Sequence, residues 1–285
     1  MIPVIDFKSE TVLDEIREAY TTVGFAVFEN ALSDKDQNTM KSWWNLMQGF
    51  FEQDQETKNK YKYQSENNLG YSIVGAENVD PTAPKDMKES FNYNNSRMPE
   101  ELWPTGINGF KATALQTIDI ADKLTLKILE KFDTILDSGT TLVDAHLKPY
   151  NTTRVIHYPA MKPTEDNMLR IGEHSDYGTI TLLWQIDSVP GLEVEDLQGK
   201  WHAVPYVWNG VVVNIGDLLQ RWTNDYFRST RHRVNNDYCH VPRHSMPHFV
   251  DPTPGTIVEN LLKEPNHYDP IESKEYLMWR LAQSY

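Results

Sequence analysis

The stretch LRIGEHSDYGTITLL, residues 169–183, is the part of the chain from which fold and function are best interpreted. Residues two positions apart in a β-strand lie on the same side, so His174 and Asp176 can converge on one point while Ser175 faces away. An imidazole and a carboxylate without a nearby thiolate suit a divalent metal ion. The stretch predicts part of a metal site that needs a second histidine. A chance surface pair is the alternative, because the chain has 9 histidines and 41 acidic residues.

The spacing of apolar residues is that of β-strands from residue 148 onward. Short segments with this period are separated by turn signals such as Pro190-Gly191 and Gln198-Gly199. The predicted strands are residues 154–158, 171–174, 179–185, 192–194, 201–204, 211–215, 230–234 and 244–250. Such closely spaced short strands predict a β-sandwich or a jelly roll.

Helices are predicted on both sides of this region. Apolar residues at helical spacing predict helices from Glu10 to Tyr20, after an N-cap at Ser33, from about Lys111 to Leu136, and after Ser273. The segment from Asn67 to Asn95 is rich in Asn, Gly, Pro and Asp, which indicates a loop or irregular hairpin that could shape a pocket. We therefore predict a single domain, mainly β with flanking helices. Its parts are a helical N-terminal wrap with short strands and a pocket loop (1–147), a jelly-roll core (148–252), and a C-terminal tail and helix (253–285).

The composition argues against two classes of partner. The net charge of -14 and the lack of a Lys/Arg run are unsuited to nucleic acid. No stretch approaches membrane-spanning length, and the N-terminal MIPVIDF lacks the features of a signal peptide. The lone Cys239 cannot form an internal disulfide, which fits a reducing compartment. We expect a cytoplasmic protein with a small-molecule partner, and its oligomeric state cannot be predicted from the sequence.

A second histidine and a cation follow in later predicted strands. His232 lies in STRHRV (229–234), and strands far apart in sequence face each other across the mouth of a jelly roll, so His232 can complete the metal site. Arg243 and Ser245 share one face of the last predicted strand and offer a guanidinium fork and a hydroxyl to a carboxylate. Taken singly, a structural histidine and a surface arginine are the alternatives.

The order of these motifs resembles the 2-oxoglutarate- and Fe(II)-dependent dioxygenases, in the branch that includes isopenicillin N synthase and the flavonoid and plant-hormone oxygenases. The matching segments are GEHSDYG (172–178), TLL (181–183) with Gln185, GLEV (191–194), NIGD (214–217), STRHRV (229–234) and RHS (243–245). PVID (3–6) and GF (24–25) resemble the same branch. The likeness therefore extends over nearly the whole chain.

The resemblance implies a double-stranded β-helix, or distorted jelly roll, in which His174, Asp176 and His232 are the catalytic metal ligands and hold Fe(II). Three ligands on one side of a metal leave positions for a bidentate 2-oxo acid and for O2. The family oxidises 2-oxoglutarate to succinate and CO2 and couples this reaction to hydroxylation, desaturation or ring closure of a substrate. The sequence does not choose among these outcomes.

The resemblance also implies a cosubstrate site. Arg243 with Ser245 would bind the distal carboxylate of 2-oxoglutarate, and Tyr158 matches a tyrosine that often contacts the same molecule. Many relatives have Asn two residues before this tyrosine, where this chain has Ile156. The contact made by that amide is therefore not expected here.

Two other functions are compatible with the motifs. An oxidase like isopenicillin N synthase has the same triad but does not use 2-oxoglutarate, so succinate formation would distinguish it. A non-catalytic dicarboxylate-binding protein on the same scaffold would use Arg243 but would not need the triad. We expect a 2-oxoglutarate- and Fe(II)-dependent oxygenase that oxidises a small molecule.

The substrate pocket is predicted to include Arg154, Gln185 and Phe249. If Tyr158 faces the pocket, strand alternation turns Ile156 and Arg154 to the same side, and an inward arginine needs a partner. That partner is either the carboxylate of an amino-acid-like substrate or an internal acid. The first possibility predicts that Arg154 binds the substrate.

Overall fold

The computed structural model of the protein describes residues 1–77, 85–162, 169–262 and 265–284. The strands are β1 Val4–Asp6, β2 Phe25–Glu29, β3 Gly70–Ser72, β4 Glu89–Tyr93, β5 Thr152–Tyr158, β6 Ile171–His174, β7 Ile180–Gln185, β8 Leu192–Glu195, β9 Trp201–Ala203, β10 Val211–Ile215, β11 His232–Val234, β12 Arg243–Val250, β13 Ile257–Val258 and β14 Ile271–Glu272. The α-helices are α1 Val12–Thr22, α2 Asp34–Phe51, α3 Gln55–Asn59, α4 Phe110–Leu136, α5 Thr141–Ala145, α6 Asp217–Trp222 and α7 Ser273–Ser284, and a 3-10 turn covers Glu100–Leu102.

Two sheets form the body of the protein. The larger sheet has the strand order β1-β2-β10-β7-β12-β5-β4-β3, and the smaller one has the order β6-β11-β8-β9. A buried apolar cluster joins their facing sides, since it contains Val212 and Tyr158 of the larger sheet together with Leu192 and Val234 of the smaller one. All eight strands predicted after residue 148 are present, with shifts of one or two residues at some ends. The prediction of a mainly β jelly roll with flanking helices is confirmed.

The other face of the larger sheet packs against the helices. Along β7, Leu182 and Trp184 join the main core with residues of α1, α2 and α4, whereas Thr181 and Leu183 face the space between the sheets. β10 alternates in the same way and is buried on both faces. Burial on both faces explains why these strands are nearly continuous runs of apolar residues.

The flanking helices agree with their predicted signals. Ser33 is the N-cap of α2, and its Oγ accepts a hydrogen bond from Asp36 N at 3.2 Å. α4 ends at Leu136, and Asp137 follows in the left-handed conformation. α1 begins at Val12 rather than Glu10, and α7 begins at Ser273. No helix among the described residues combines the length and hydropathy needed to cross a bilayer.

The segment from Asn67 to Asn95 contains an irregular hairpin, one of its two predicted forms. β3 pairs with β4, with Tyr71 opposite Phe91, and β4 continues the larger sheet beyond β5. Residues 78–84 of this segment lie outside the described residues. Because strands β1 to β4 are hydrogen-bonded into the larger sheet, the N-terminal part adds to its edges as well as covering it. The division of the chain at residue 147 stays a prediction.

The buried His146 connects α5 to the start of β7. Its Nδ1 lies 2.6 Å from Leu142 O and its Nε2 lies 2.8 Å from Thr179 Oγ1. Burial lowers the pKa of His146 from 6.5 to about 4. The imidazole is therefore neutral in the folded protein at neutral pH.

This pKa predicts an acid-sensitive contribution to stability. In the unfolded chain His146 takes up a proton near pH 6.5, but in the folded protein it does so only near pH 4. The free energy of unfolding should therefore fall by up to about 3 kcal/mol as the pH drops through this window. Urea unfolding of the wild type and of His146→Gln, which does not titrate, measures this contribution. The free energy of unfolding of the wild type, relative to that of His146→Gln, should decrease as the pH falls from 7 to 4. A difference that stays constant over this range would contradict the assignment.

Candidate metal centre and cavity

His174, Asp176 and His232 come together at one end of the smaller sheet. His174 ends β6, His232 begins β11, and the two are Cα partners in the antiparallel register. Asp176 Oδ1 lies 3.9 Å from His174 Nε2 and 3.8 Å from His232 Nε2. One potential ligand atom from each residue lies within 4.8 Å of the others. This geometry can hold one metal ion.

Hydrogen bonds orient the three side chains for metal binding. His174 Nδ1 lies 2.8 Å from Gly172 O, and His232 Nδ1 lies 3.2 Å from Thr230 O. A carbonyl oxygen only accepts, so each Nδ1 carries the proton and each Nε2 presents its lone pair. Asn214 Nδ2 donates to Asp176 Oδ2 at 2.8 Å, which leaves Oδ1 directed to the imidazoles.

The charge states of these groups suit a divalent cation. Burial, with the nearby His232, lowers the pKa of His174 to about 4, so its imidazole is neutral at neutral pH. Burial opposes ionisation of Asp176, but the neighbouring histidines and the hydrogen bond from Asn214 hold its pKa below its usual value. The neutral imidazole of His174 and the carboxylate of Asp176 are the forms that metal binding requires.

The triad opens into a cavity of about 180 Å3 between the two sheets. Arg243, Ser245 and Tyr158 all line this cavity, and Ile156 lines it as well. Arg243 is 1% exposed, yet its Nε and Nη1 have no hydrogen-bond partner among the described residues. The carbon at the centre of its guanidinium lies 5.1 Å from the centroid of the Tyr158 ring. Because an unpaired buried cation is costly, this site is suited to an anionic ligand.

Arg154 lines the cavity but has an internal acid as its partner. Its Nη1 lies 2.8 Å from Glu77 Oε2, and its Nε donates to Asn92 Oδ1 at 2.7 Å. Lys88 Nζ also lies 2.6 Å from Glu77 Oε2 and 3.5 Å from Asp86 Oδ2. Although burial opposes it, Arg154 and Lys88 hold the pKa of Glu77 well below its usual range. Pairing with an internal acid was the alternative to a substrate carboxylate, and this pairing removes the physical reason for the carboxylate prediction.

The two other predicted substrate residues differ in position. Phe249 lines the cavity, and its ring centroid lies 5.8 Å from the guanidinium carbon of Arg154. Gln185 is on the same strand as Thr181 and Leu183, which do line the cavity, but it is not among the lining residues. Its Nε2 donates to Pro205 O at 3.1 Å. The structure therefore does not support placing Gln185 in the pocket, because its side-chain amide is hydrogen-bonded to a backbone carbonyl outside the cavity lining.

Helix α7 covers part of the cavity, as expected of the C-terminal segment, whose conformation the sequence does not predict. Its residues Leu277, Met278 and Leu281 line the cavity. Arg280 of the same helix pairs with Asp217, and its guanidinium carbon lies 4.2 Å from the centroid of the Tyr177 ring. The apolar spacing of α7 indicates a packed helix, but no local signal shows what it packs against.

Asp217 connects α7 to the loops that carry the triad. It accepts hydrogen bonds from Ser175 Oγ at 2.9 Å and from Ser229 Oγ at 2.5 Å. Ser175 lies between two triad residues, and Ser229 precedes His232. NIGD (214–217) could have indicated these roles, since the motif supplies both Asn214 and Asp217.

Comparison with known families gives two matches that together cover most of the chain. The model of the 2OG-Fe(II) oxygenase superfamily matches residues 150–252. The model described as the N-terminal part of the non-haem dioxygenases in morphine synthesis matches residues 2–108.

Individual relatives match over nearly their full length. The chain is 30% identical to proline hydroxylase buaE of Petromyces alliaceus, over 98% of this chain and 95% of that protein. It is 30% identical to the 2-oxoglutarate-dependent dioxygenase htyE of Aspergillus rugulosus, over 87% and 83% respectively. Among solved structures, a full-length protein of Neurospora crassa in complex with alpha-KG and thymine is 31% identical, with a TM-score of 0.89 and coverage of 100% and 97%.

The contacts of Arg280 predict that it holds α7 against the cavity. We expect Arg280→Met to weaken the docking of α7 by about 1 to 2 kcal/mol, because a partly buried ion pair with Asp217 is lost. Limited proteolysis should then cleave the C-terminal segment faster than in the wild type. Glu275→Gln, which removes a charge at an exposed position of the same helix, is the matched control. Equal cleavage rates for the two variants would refute this role of Arg280.

Proposed function

Because this chain belongs to the 2OG-Fe(II) oxygenase superfamily, we propose that His174, Asp176 and His232 hold the Fe(II) of its reaction. The protein is an enzyme that uses Fe(II), 2-oxoglutarate and O2 to oxidise a small molecule. When bound, the iron would supply the redox chemistry with O2, while the protein supplies the cavity that holds and orients the reactants.

The proposed ligand set rests on the orientation of the side chains. Both Nε2 atoms and Asp176 Oδ1 are directed to one point, and the protons of both imidazoles are held on Nδ1 by backbone carbonyls. Three ligands from one side would leave the side that faces the cavity open to the cosubstrate and O2. The hydrogen bond from Asn214 keeps the carboxylate from rotating.

The unpaired guanidinium of Arg243 is the observation that carries the cosubstrate assignment. A cation that is 1% exposed, lines the cavity of the triad and lacks a hydrogen-bond partner at Nε and Nη1 among the described residues requires an anion. We assign to it the distal carboxylate of 2-oxoglutarate, with Ser245 as a second donor and Tyr158 as an apolar wall. An oxidase that does not use this dicarboxylate would leave Arg243 unpaired. A binding protein without catalysis would have no use for the triad.

The substrate is a small molecule, and its identity is open to direct test. One relative is named a proline hydroxylase, and another was crystallised with thymine. L-Proline and thymine are therefore the first candidates for this chain. Each would be tested for 2-oxoglutarate-dependent O2 uptake that yields succinate, and the outcome of hydroxylation, desaturation or ring closure would be read from the product mass.

The metal assignment predicts the effect of removing any one ligand. His174→Ala, Asp176→Ala and His232→Ala should each abolish iron retention and turnover, because one third of the protein ligands is lost. Iron bound after gel filtration and succinate formed are the two measurements. Asp196→Asn, which removes a carboxylate paired with His202 outside the triad, is the control and should retain iron. Undiminished iron in all three alanine variants would disprove the ligand set.

The cosubstrate assignment predicts a selective loss of 2-oxoglutarate affinity. Arg243→Leu should raise the KM for 2-oxoglutarate by at least about thirtyfold, because the carboxylate of the cosubstrate then lacks its charged partner, at a cost of about 2 to 5 kcal/mol. Arg243→Lys should restore only part of the affinity, because an ammonium lacks the bidentate fork. The same variants should retain iron. A KM for 2-oxoglutarate equal to that of the wild type would show that the anion site lies elsewhere.

A further inference from the structure

The cavity contains one buried carboxylate that neither iron nor 2-oxoglutarate accounts for, whereas the lining residue Glu66 is exposed. Asp251, which follows β12, lines the cavity and is only 7% exposed. None of the described residues donates a hydrogen bond to its carboxylate oxygens or forms an ion pair with them. A buried carboxylate that faces a cavity without a partner has its acceptor capacity open to a ligand.

The backbone around Asp251 fixes where this carboxylate points. Asp251 N donates to Asn151 Oδ1 at 2.9 Å, and Tyr150 N donates to Asp251 O at 3.2 Å. The carboxylate packs on the backbone of Gly178, where a Cβ atom would lie 2.7 Å from Asp251 Oδ1. Gly178 follows Asp176 by two residues, so the free carboxylate lies beside the loop that supplies a metal ligand.

The cations that line the cavity have other partners. Arg154 and Lys88 share Glu77, and Arg243 is assigned to 2-oxoglutarate. Arg97 donates from Nη1 to Asn67 O at 2.9 Å. Its Nη2 donates to carbonyl and hydroxyl oxygens of residues 150–152. The positive charge of Arg97 lowers the pKa of Asp251, but the Nη hydrogens of Arg97 are directed to these oxygens.

We propose that Asp251 accepts a hydrogen bond from an N–H group of the substrate, and hence that this enzyme oxidises a nitrogen-bearing molecule, an amine or an N–H heterocycle. The proposal rests on the proposed function, because it takes the same cavity as the active site. Substrate recognition is thereby assigned to the carboxylate of Asp251 and not to the guanidinium of Arg154. Asp251 is in this view a substrate-binding residue and takes no part in holding iron or 2-oxoglutarate.

The electrostatics of Asp251 agree with this role. Burial raises the pKa of Asp251 to about 7, Arg97 opposes this shift, and the nearby Asp176 adds to it. The carboxylate is therefore costly to ionise while the cavity lacks a donor. A donor N–H supplies the missing stabilisation, and a group that can only accept hydrogen bonds does not.

Two pairs of ring molecules test the proposal without knowledge of the natural substrate. Piperidine and tetrahydropyran differ by an N–H in place of an ether oxygen. 2-Pyrrolidinone and γ-butyrolactone differ by an N–H in place of a ring oxygen, and both members of this second pair are neutral. Their affinities are measured by calorimetry on the Fe(II) and 2-oxoglutarate complex without O2. In the wild type, the N–H member of at least one pair should bind at least about tenfold more tightly.

Two substitutions at Asp251 locate the source of this preference. In Asp251→Asn the ratio of the two affinities within a pair should fall below about threefold, because an amide can donate as well as accept hydrogen bonds. The same ratio should fall in Asp251→Ser. Asp119→Asn removes an exposed acid of α4 that pairs with Lys123 on the surface, and this control should keep the full ratio. Affinity for 2-oxoglutarate, measured in the same samples, shows that each variant retains an intact cavity.

The outcomes separate this proposal from the proposed function. No N–H preference in a wild type that binds 2-oxoglutarate would overturn the role of Asp251 and leave the oxygenase assignment in place. A preference that survives both substitutions would place the nitrogen elsewhere, for example on the metal, and would also overturn it. A wild type that binds no 2-oxoglutarate would instead contradict the cosubstrate site. A preference lost in both variants and kept in the control supports the proposal.

Discussion

The antiparallel pairing of β6 with β11 is the constraint on which the rest of the site depends. In its register His174 is the Cα partner of His232, so two ligands that are far apart in the chain meet across one pair of strands. A slip by one residue would turn the side chains of the shifted strand to the opposite face and separate the imidazoles. The backbone carbonyls of Gly172 and Thr230 then set the tautomer of each ring, so the same backbone both positions the imidazoles and determines which nitrogen is free.

Buried charges around the cavity are of two kinds. Glu77 is compensated by Lys88 and Arg154, so this cluster joins the hairpin region to β5 without an external partner. Arg243 and Asp251 are also buried. Nε and Nη1 of Arg243 have no hydrogen-bond partner among the described residues, and none of these residues donates a hydrogen bond to the Asp251 carboxylate. Leaving a buried charge unpaired costs several kcal/mol, and proteins retain such groups where a ligand completes them. Arg243 begins β12 and Asp251 directly follows its last residue, so the proposed cosubstrate contact and the proposed substrate contact lie near the two ends of one strand.

The sheets and the helices contribute different parts of the cavity. The proposed metal and cosubstrate residues lie on strands or directly beside them, and the larger sheet is supported from behind by a core shared with α1, α2 and α4. The outer walls come from the hairpin segment, whose strand β4 pairs with β5, and from α7, whose Arg280 pairs with Asp217 of α6. Strand-borne groups are held firmly, whereas the walls can change in shape from one relative to another without disturbing the metal site. Substrate contacts other than that of Asp251 are therefore expected to come from these walls.

The sequence by itself determined the features that depend on short-range pattern. Alternation predicted the eight strands of the jelly roll, helical spacing and the Ser33 cap predicted the main helices, and ordered motifs indicated the family and candidate ligands. These signals are local, because a strand or a cap is specified by residues within a few positions of one another.

The tertiary structure decided which partner each side chain has. Arg154 pairs with Glu77, which is 77 residues away, and the amide of Gln185 is taken by Pro205 O, so neither outcome was visible in local spacing. The same holds for α7 over the cavity and for the burial of Asp251 without a partner. Burial and charge compensation depend on which distant segments the fold brings together, and a single sequence does not reveal these contacts.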